Sequence, residues 1–422
     1  MEGSHCVASP LSATAFMSDI QVNLATRNGR MHTLGCVLVD SELDLQRFER
    51  ALSTHTLVAL DTESNSAHSY ASRICLMQFA MVRRCWDGRD SELELWLLDP
   101  DRVDVRSLVP LFADPNRRFV MHGAQSELGY LHKEFRIRVA NLFDTQIAAR
   151  LAGWTSTSIG SILEDEFQVH QSKRVRMSDW GKRPFTASQL TYACGDVAYL
   201  VPLYRKLFRC LSDCDQLAEG LAHMEEVASA DYSRVGSRDK TFWDHQTTKQ
   251  VSLKHMGVYK SLWEWREEVA QAWDRPRSRV VTDKVLLSLA HDQPTTRRLL
   301  EQCKCLDRRQ VRLLGDDILS CIQQGQSQRV AVRPFKPSTT SITDRRELGL
   351  FNALRKWRLG KSNERGIDPD IVLSKHSLKA IAAEAPMSVA ALAGYHILPD
   401  WKLEQYGQEV VEIVQGFSQV SG

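Results

Sequence analysis

The run Leu57-Val58-Ala59-Leu60-Asp61-Thr62-Glu63 is apolar at one end and doubly acidic at the other. Four apolar residues leading into a turn-prone stretch predict a buried strand. Asp61 and Glu63 are two apart, so on an extended chain they point to the same side. Two carboxylates held on one side repel each other unless a cation lies between them. Hard divalent ions such as Mg²⁺ and Mn²⁺ take oxygen ligands of this kind. Taken alone, the pair reads more simply as two solvated acids at an exposed strand end.

A second segment changes that balance. It runs from Arg183-Pro184-Phe185-Thr186 through Gln189 to Tyr192-Ala193-Cys194-Gly195-Asp196. Thr186 followed three residues later by Gln189 is a capping box, which predicts a helix starting near Ala187. Tyr192 and Asp196 are then four apart and share a helical face. A carboxylate there can bind a metal while the phenol holds a water beside it. Gly195 costs about 1 kcal/mol relative to Ala inside a helix, and its small size lets another backbone or a substrate come close.

With two further segments, a family resemblance becomes specific. Val58–Glu63, His122-Gly123-Ala124-Gln125-Ser126-Glu127-Leu128 and Phe143-Asp144-Thr145-Gln146-Ile147-Ala148 resemble the first two exonuclease motifs of ribonuclease D and the block after them. Ser178-Asp179-Trp180 with Arg183-Pro184, then Tyr192-x3-Asp196, resembles the third. Residues 36–210 therefore resemble the tyrosine subclass of the DEDD 3′–5′ exonucleases. The resemblance implies an α/β, ribonuclease-H-like mixed sheet flanked by helices. It also implies two divalent ions, Mg²⁺ or Mn²⁺. Asp61 would bridge both. Glu63 and Asp196 would complete the coordination of the first, Glu127 would serve the second through water, and Tyr192 would orient the attacking water. The product would be a nucleoside 5′-monophosphate.

One position departs from the family, which has Asp where this chain has Glu127. The extra methylene moves the oxygens by ~1.5 Å, whereas catalytic groups tolerate about 0.5 Å of misplacement. Three readings stay open: a backbone that retreats and keeps activity, a weakly bound second metal, or a fold that only binds. Intact Asp61, Glu63, Tyr192 and Asp196 favour the first two.

Lys173, Arg174, Arg176, Lys182 and Arg183 make a basic loop before the third motif. Such a loop can hold a nucleic-acid backbone; Lys173 and Arg183 align with basic positions of the family. Asp144 is expected to cap the helix that follows it, and His122 to be a hydrogen-bonded core residue.

Composition sets the outer limits. At 422 residues two or three domains are expected. The net charge of +2 does not mark a general polyanion binder, so nucleic-acid contacts must come from local patches. Ten cysteines lack framework spacing, and Cys303-x-Cys305 is too tight for a zinc pair, which fits a reducing cytoplasm. No apolar run reaches the ~18–20 residues a membrane helix needs. The first 35 residues are a poorly defined extension without the apolar core of a secretory signal.

Strands are predicted at residues 74–82, 94–98 and 119–121, and a helical connector over 211–250. Residues 251–325 then show helical periodicity throughout, with Leu262-Trp263-Glu264-Trp265-Arg266, Asp274-Arg275-Pro276 and Val285-Leu286-Leu287. The unit resembles the helicase-and-ribonuclease-D C-terminal (HRDC) domain, an all-α bundle. Residues 345–420 repeat its pattern after a Ser/Thr/Pro-containing linker, 326–344. Arg275 and Arg277 form a basic spur that could touch phosphate, while Trp263, Trp265 and Trp357 are expected in cores.

The expectation is a metal-dependent 3′–5′ exoribonuclease, monomeric and cytoplasmic, acting on tRNA precursors or other structured-RNA 3′ tails. The alternatives are a DNA-directed exonuclease with the same site, or a catalytically weak RNA-binding scaffold because of Glu127.

Overall fold

The computed structural model describes residues 20–25, 31–84, 90–233, 242–244, 246–328, 330 and 345–420. Seven strands form one mixed sheet: β1 (Ile20–Ala25), β2 (Met31–Val39), β3 (Leu57–Ser64), β4 (Ile74–Arg84), β5 (Asp90–Leu98), β6 (Arg118–Met121) and β7 (Leu142–Asp144). Their order is β1-β2-β5-β4-β3-β6-β7. β3, β4 and β5 pair antiparallel, while β6 and β7 run parallel to β3. β3 is thus an interior strand, and Val58, Ala59 and Leu60 are fully buried. Its acidic end emerges where the sheet meets the helix Ala187–Ala198.

The sheet begins earlier than residue 36. β1 and β2 add an antiparallel hairpin, and β2 pairs parallel with β5 from Cys36↔Leu95 to Val39↔Leu98. β4 and β5 also run longer than expected, to Arg84 and from Asp90.

The helix Ala187–Ala198 starts at Thr186 through the expected capping box, with Gln189 N–H donating to Thr186 Oγ1 at 3.2 Å and Thr186 N–H donating to Gln189 Oε1 at 3.0 Å. Asp144 caps the helix Thr145–Leu151, accepting from Gln146 N–H at 2.8 Å. The same carboxylate accepts from Gly123 N–H at 2.9 Å and Ala124 N–H at 2.8 Å. It therefore also fixes the start of the helix Gln125–Phe135, which carries Glu127. Gly123 has φ +69°, a conformation only glycine adopts at little cost.

The two helical units attach differently. The first, from Met256–Ala272 to Arg308–Ser327, has its own apolar core around Tyr259, Leu262, Leu286 and Ile318. The second, from Arg345–Arg365 to Asp400–Val420, shares one continuous core with the nuclease sheet and its helices. Across that seam Arg365 forks onto Glu219 at 3.0 and 2.5 Å, and Asp368 N–H donates to the Arg150 carbonyl at 3.2 Å. His223 packs edge-on against Trp401 at 4.6 Å. At Gly153, φ +72°, a Cβ would lie 2.3 Å from the Gly366 carbonyl oxygen.

Trp265 is buried in the first unit, and Trp263 packs edge-on against Phe242 there. Trp357 donates to Glu409 at 2.8 Å in the second. Among the described residues no helix is long and apolar enough to cross a membrane.

Candidate active site

Three chain segments bring Asp61 and Glu63, Glu127, and Tyr192 with Asp196 to one place. β3 supplies the first pair, the helix Gln125–Phe135 supplies Glu127, and the helix Ala187–Ala198 supplies the last two. Asp61 accepts from Thr62 N–H at 2.9 Å and shares a hydrogen bond with the Glu127 carboxyl. Asp196 is 5% exposed and accepts from the Gln171 amide and the Tyr192 hydroxyl.

The electrostatics follow from this crowding. Burial, followed by repulsion from Asp61, pushes the Glu63 carboxyl up to about 9, against the attraction of Arg176. Burial raises Asp61 as well, and burial with the charge of Asp61 lifts Glu127 well above the carboxylate range. Asp196 is raised by burial, then by Asp61 and Glu63. Tyr192 is pushed up by burial and by Asp196, so its phenol keeps its proton at neutral pH. Trp180, fully buried, holds that ring at 6.1 Å and donates to the Arg176 carbonyl at 3.2 Å.

Four acids forced up together make a site poised for added positive charge. The donor set suits hard dications, being all oxygen, and Glu127 Oε2 is buried without a hydrogen-bond partner. Among the described residues, no three His, Cys, Asp or Glu side chains encircle a common point as a finished metal cage. Instead Asp61 pairs with the Glu127 carboxyl, and Asp196 is held by Gln171 and Tyr192.

The basic residues separate into groups. Lys173 and Arg176 are exposed on the short helix Lys173–Arg176, and Arg176 acts on both Glu63 and Tyr192. Lys182 is exposed and lies 3.7 Å from Asp179. Arg183 is placed at odds with a phosphate-binding role. Its guanidinium donates to Asp99 at 2.5 and 2.7 Å, to the Cys75 carbonyl at 2.8 Å and to the Trp180 carbonyl at 2.7 Å. Those bonds consume the fork and brace the motif loop against the sheet. Arg275 is exposed, while Arg277 is engaged by Glu267 and lies over the Tyr70 ring at 4.9 Å. His122 hydrogen-bonds Thr145 at 2.9 Å, as a core histidine does.

Gln171 went unread in the sequence, since a lone Gln in a loop carries no periodic or motif signal.

The fold and the site together define a DEDD-type 3′–5′ exonuclease with two HRDC domains. The 3′-5′ exonuclease family model matches residues 36–212, and the HRDC domain model matches 255–322 and 347–414. Ribonuclease D of Granulibacter bethesdensis is 25% identical over 93% of this chain and 95% of its own length. Ribonuclease D of Haemophilus influenzae is 27% identical over 77% and 79%. The crystal structure of Escherichia coli RNase D superposes with a TM-score of 0.61 at 21% identity, covering 90% of this chain and 98% of that one. The chain is similar to ribonucleases D along nearly its whole length, and it is a hydrolase acting as a 3′–5′ exoribonuclease. Membership of the DEDD class implies dependence on divalent metal ions.

Proposed function

We propose that this protein trims the 3′ ends of RNA, tRNA precursors or other structured transcripts, releasing nucleoside 5′-monophosphates as a cytoplasmic monomer. The observation that carries this reading is the convergence of four carboxyls whose burial and mutual repulsion raise them all. Asp61, Glu63, Glu127 and Asp196 would hold two divalent ions, Mg²⁺ or Mn²⁺. Such ions clamp a scissile phosphate and stabilise both the attacking and the leaving oxygen.

The remaining roles belong to the side chains themselves. Tyr192, beside Asp196, orients the attacking water by hydrogen bonding. Gln171 positions Asp196 by donating to its carboxylate. Lys173, Arg176 and Lys182 offer positive charge beside the acids for the phosphate backbone. Arg183 acts at one remove, by fixing the loop that carries them.

Curated ribonuclease D relatives support RNA over the DNA-directed alternative. The E. coli relative is described as an exoribonuclease involved in structured RNA processing, which supports that substrate class. Retention of the whole acidic set supports catalysis over a binding scaffold. The test is turnover of a 3′-tailed RNA with Mn²⁺ by the native chain and by Asp61→Asn. Loss of product in the variant is expected; equal product would remove the catalytic reading.

A further inference from the structure

Next to the acidic site, the first HRDC bundle closes over the loop that follows β3. Ser69 Oγ donates to Asp274 at 2.6 Å, and Tyr70 N–H donates to the same carboxylate at 3.1 Å. The Tyr70 hydroxyl donates to Glu267 at 3.1 Å. Between these contacts lies a cavity of about 250 Å³. Its lining includes Ser66, Ser72, Arg266, Arg277, Ser278 and Asp283.

Arg266 is the unexplained member. It is 1% exposed, and Nη1 is satisfied by the Val281 carbonyl at 3.2 Å and Asp283 at 2.7 Å. Nε and Nη2 are buried with no acceptor among the described residues, and the buried Ser72 Oγ also lacks a partner. Guanidinium cannot shed its proton to relieve this, and buried polar groups as a rule find partners. The sequence carries a trace of the oddity. Arg266 falls on the stripe Leu262, Trp265, Val269, where an apolar residue is expected.

We infer that this interdomain cavity is a phosphate-binding site, with Arg266 and Ser72 as its buried donors. The argument is one of complementarity. The two guanidiniums at the cavity are each paired with a carboxylate, Arg266 with Asp283 and Arg277 with Glu267, so what the cavity offers an anion is unspent donors rather than net charge. Arg277 is already engaged by Glu267, which leaves Arg266 with the unspent donors. A planar fork beside hydroxyls matches the oxygens of a phosphate. Ser66 stands three residues beyond Glu63, so a strand whose 3′ end occupies the acidic site has a backbone phosphate within reach of this face. The phosphate can come from such a strand or from a free nucleoside monophosphate. The first source rests on the proposed RNA activity; the site itself does not.

The experiment uses the full chain carrying Asp61→Asn, in EDTA and at constant ionic strength, so that neither turnover nor metal contributes. Ser278→Glu adds a carboxylate at an exposed lining position and leaves the buried network intact; Arg266→Met removes the donors directly. Inorganic phosphate and adenosine 5′-monophosphate are titrated while the melting temperature is followed. Short single-stranded RNA is titrated by anisotropy, native and with one neutral methylphosphonate linkage moved along it. A strand source predicts one linkage whose neutralisation weakens binding about tenfold in the parent and not in Ser278→Glu. A free source predicts a phosphate- and nucleotide-dependent rise in melting temperature that Ser278→Glu abolishes, with no sensitive linkage. Equal binding of all three ligands to the parent and Ser278→Glu overturns the site, even where Arg266→Met fails to fold. The catalytic reading is judged separately, by turnover of the native chain against Asp61→Asn.

Discussion

Gly153→Ala should loosen the seam between the nuclease and the second HRDC bundle. Two costs add. Gly153 has φ +72°, a left-handed conformation that costs a residue with a Cβ roughly 1–2 kcal/mol. The new Cβ would also sit 2.3 Å from the Gly366 carbonyl oxygen. Carbon and oxygen ordinarily approach to about 3.3 Å, so the two backbones must part by roughly 1 Å. The nearby bond from Asp368 N–H to the Arg150 carbonyl, already 3.2 Å, then breaks. Its loss adds about 1 kcal/mol. The expected total is about 2–3 kcal/mol. With an m-value near 3 kcal/mol/M for a chain of this size, the urea midpoint should fall by about 1 M. The same substitution at Gly360 is the control. That glycine lies exposed inside the helix Arg345–Arg365, and a methyl there would meet nothing within 4 Å, so Ala should stabilise by up to about 1 kcal/mol. A Gly153→Ala midpoint within about 0.3 M of the parent would refute the proposed seam.

Three further outcomes are expected. Glu127→Asp should change turnover or the Mn²⁺/Mg²⁺ preference while leaving RNA affinity within about twofold; a change confined to affinity would count against a role at the metal site. Arg183→Lys should cost about 2–3 kcal/mol in unfolding, because one ammonium cannot replace the fork that satisfies the 3%-exposed Asp99, with RNA affinity unchanged; weaker RNA binding at unaltered stability would restore the phosphate role. Burial, then Lys402, lowers His223 from 6.5 to about 3, so the folded chain binds fewer protons than the unfolded chain between those values. Stability from this group is complete above pH 6.5 and declines as pH falls toward 3, by up to about 1.4 kcal/mol per unit. Urea titrations from pH 7 to 4 should show a shallower loss in His223→Gln, and parallel curves would exclude the histidine as the source.

The site was legible where chemistry and period coincide within a few residues. The Leu57–Glu63 run is one interior strand, and Thr186 with Gln189 begins the helix of Tyr192 and Asp196 as read. Asp144 was legible only in part. Its capping of the next helix is local, whereas its hold on Gly123 and Ala124 needs β6 and β7 already paired. Strand β7 has three residues, too few to show a period of two. β1 and β2 escaped because their evidence is mutual pairing and the seat of β2 against β5, neither of which is local. The bracing bonds of Arg183 were not legible, because a basic residue beside a nuclease motif suggests phosphate equally well whether its fork is free or spent. That difference lies chiefly with Asp99 and the Cys75 carbonyl, both far away in the sequence.

The unequal anchoring of the two bundles divides the molecule in an order its linear map hides. The last unit in the chain is folded into the interior of the first, while the middle unit rests on it through hydrogen bonds at Ser69 and Tyr70 and the packing of the Tyr70 ring. A protein shortened from its carboxyl end would therefore lose part of the nuclease's own hydrophobic lining rather than a detachable accessory. Cutting out the middle bundle would spare that lining and free the Ser69–Tyr70 loop instead.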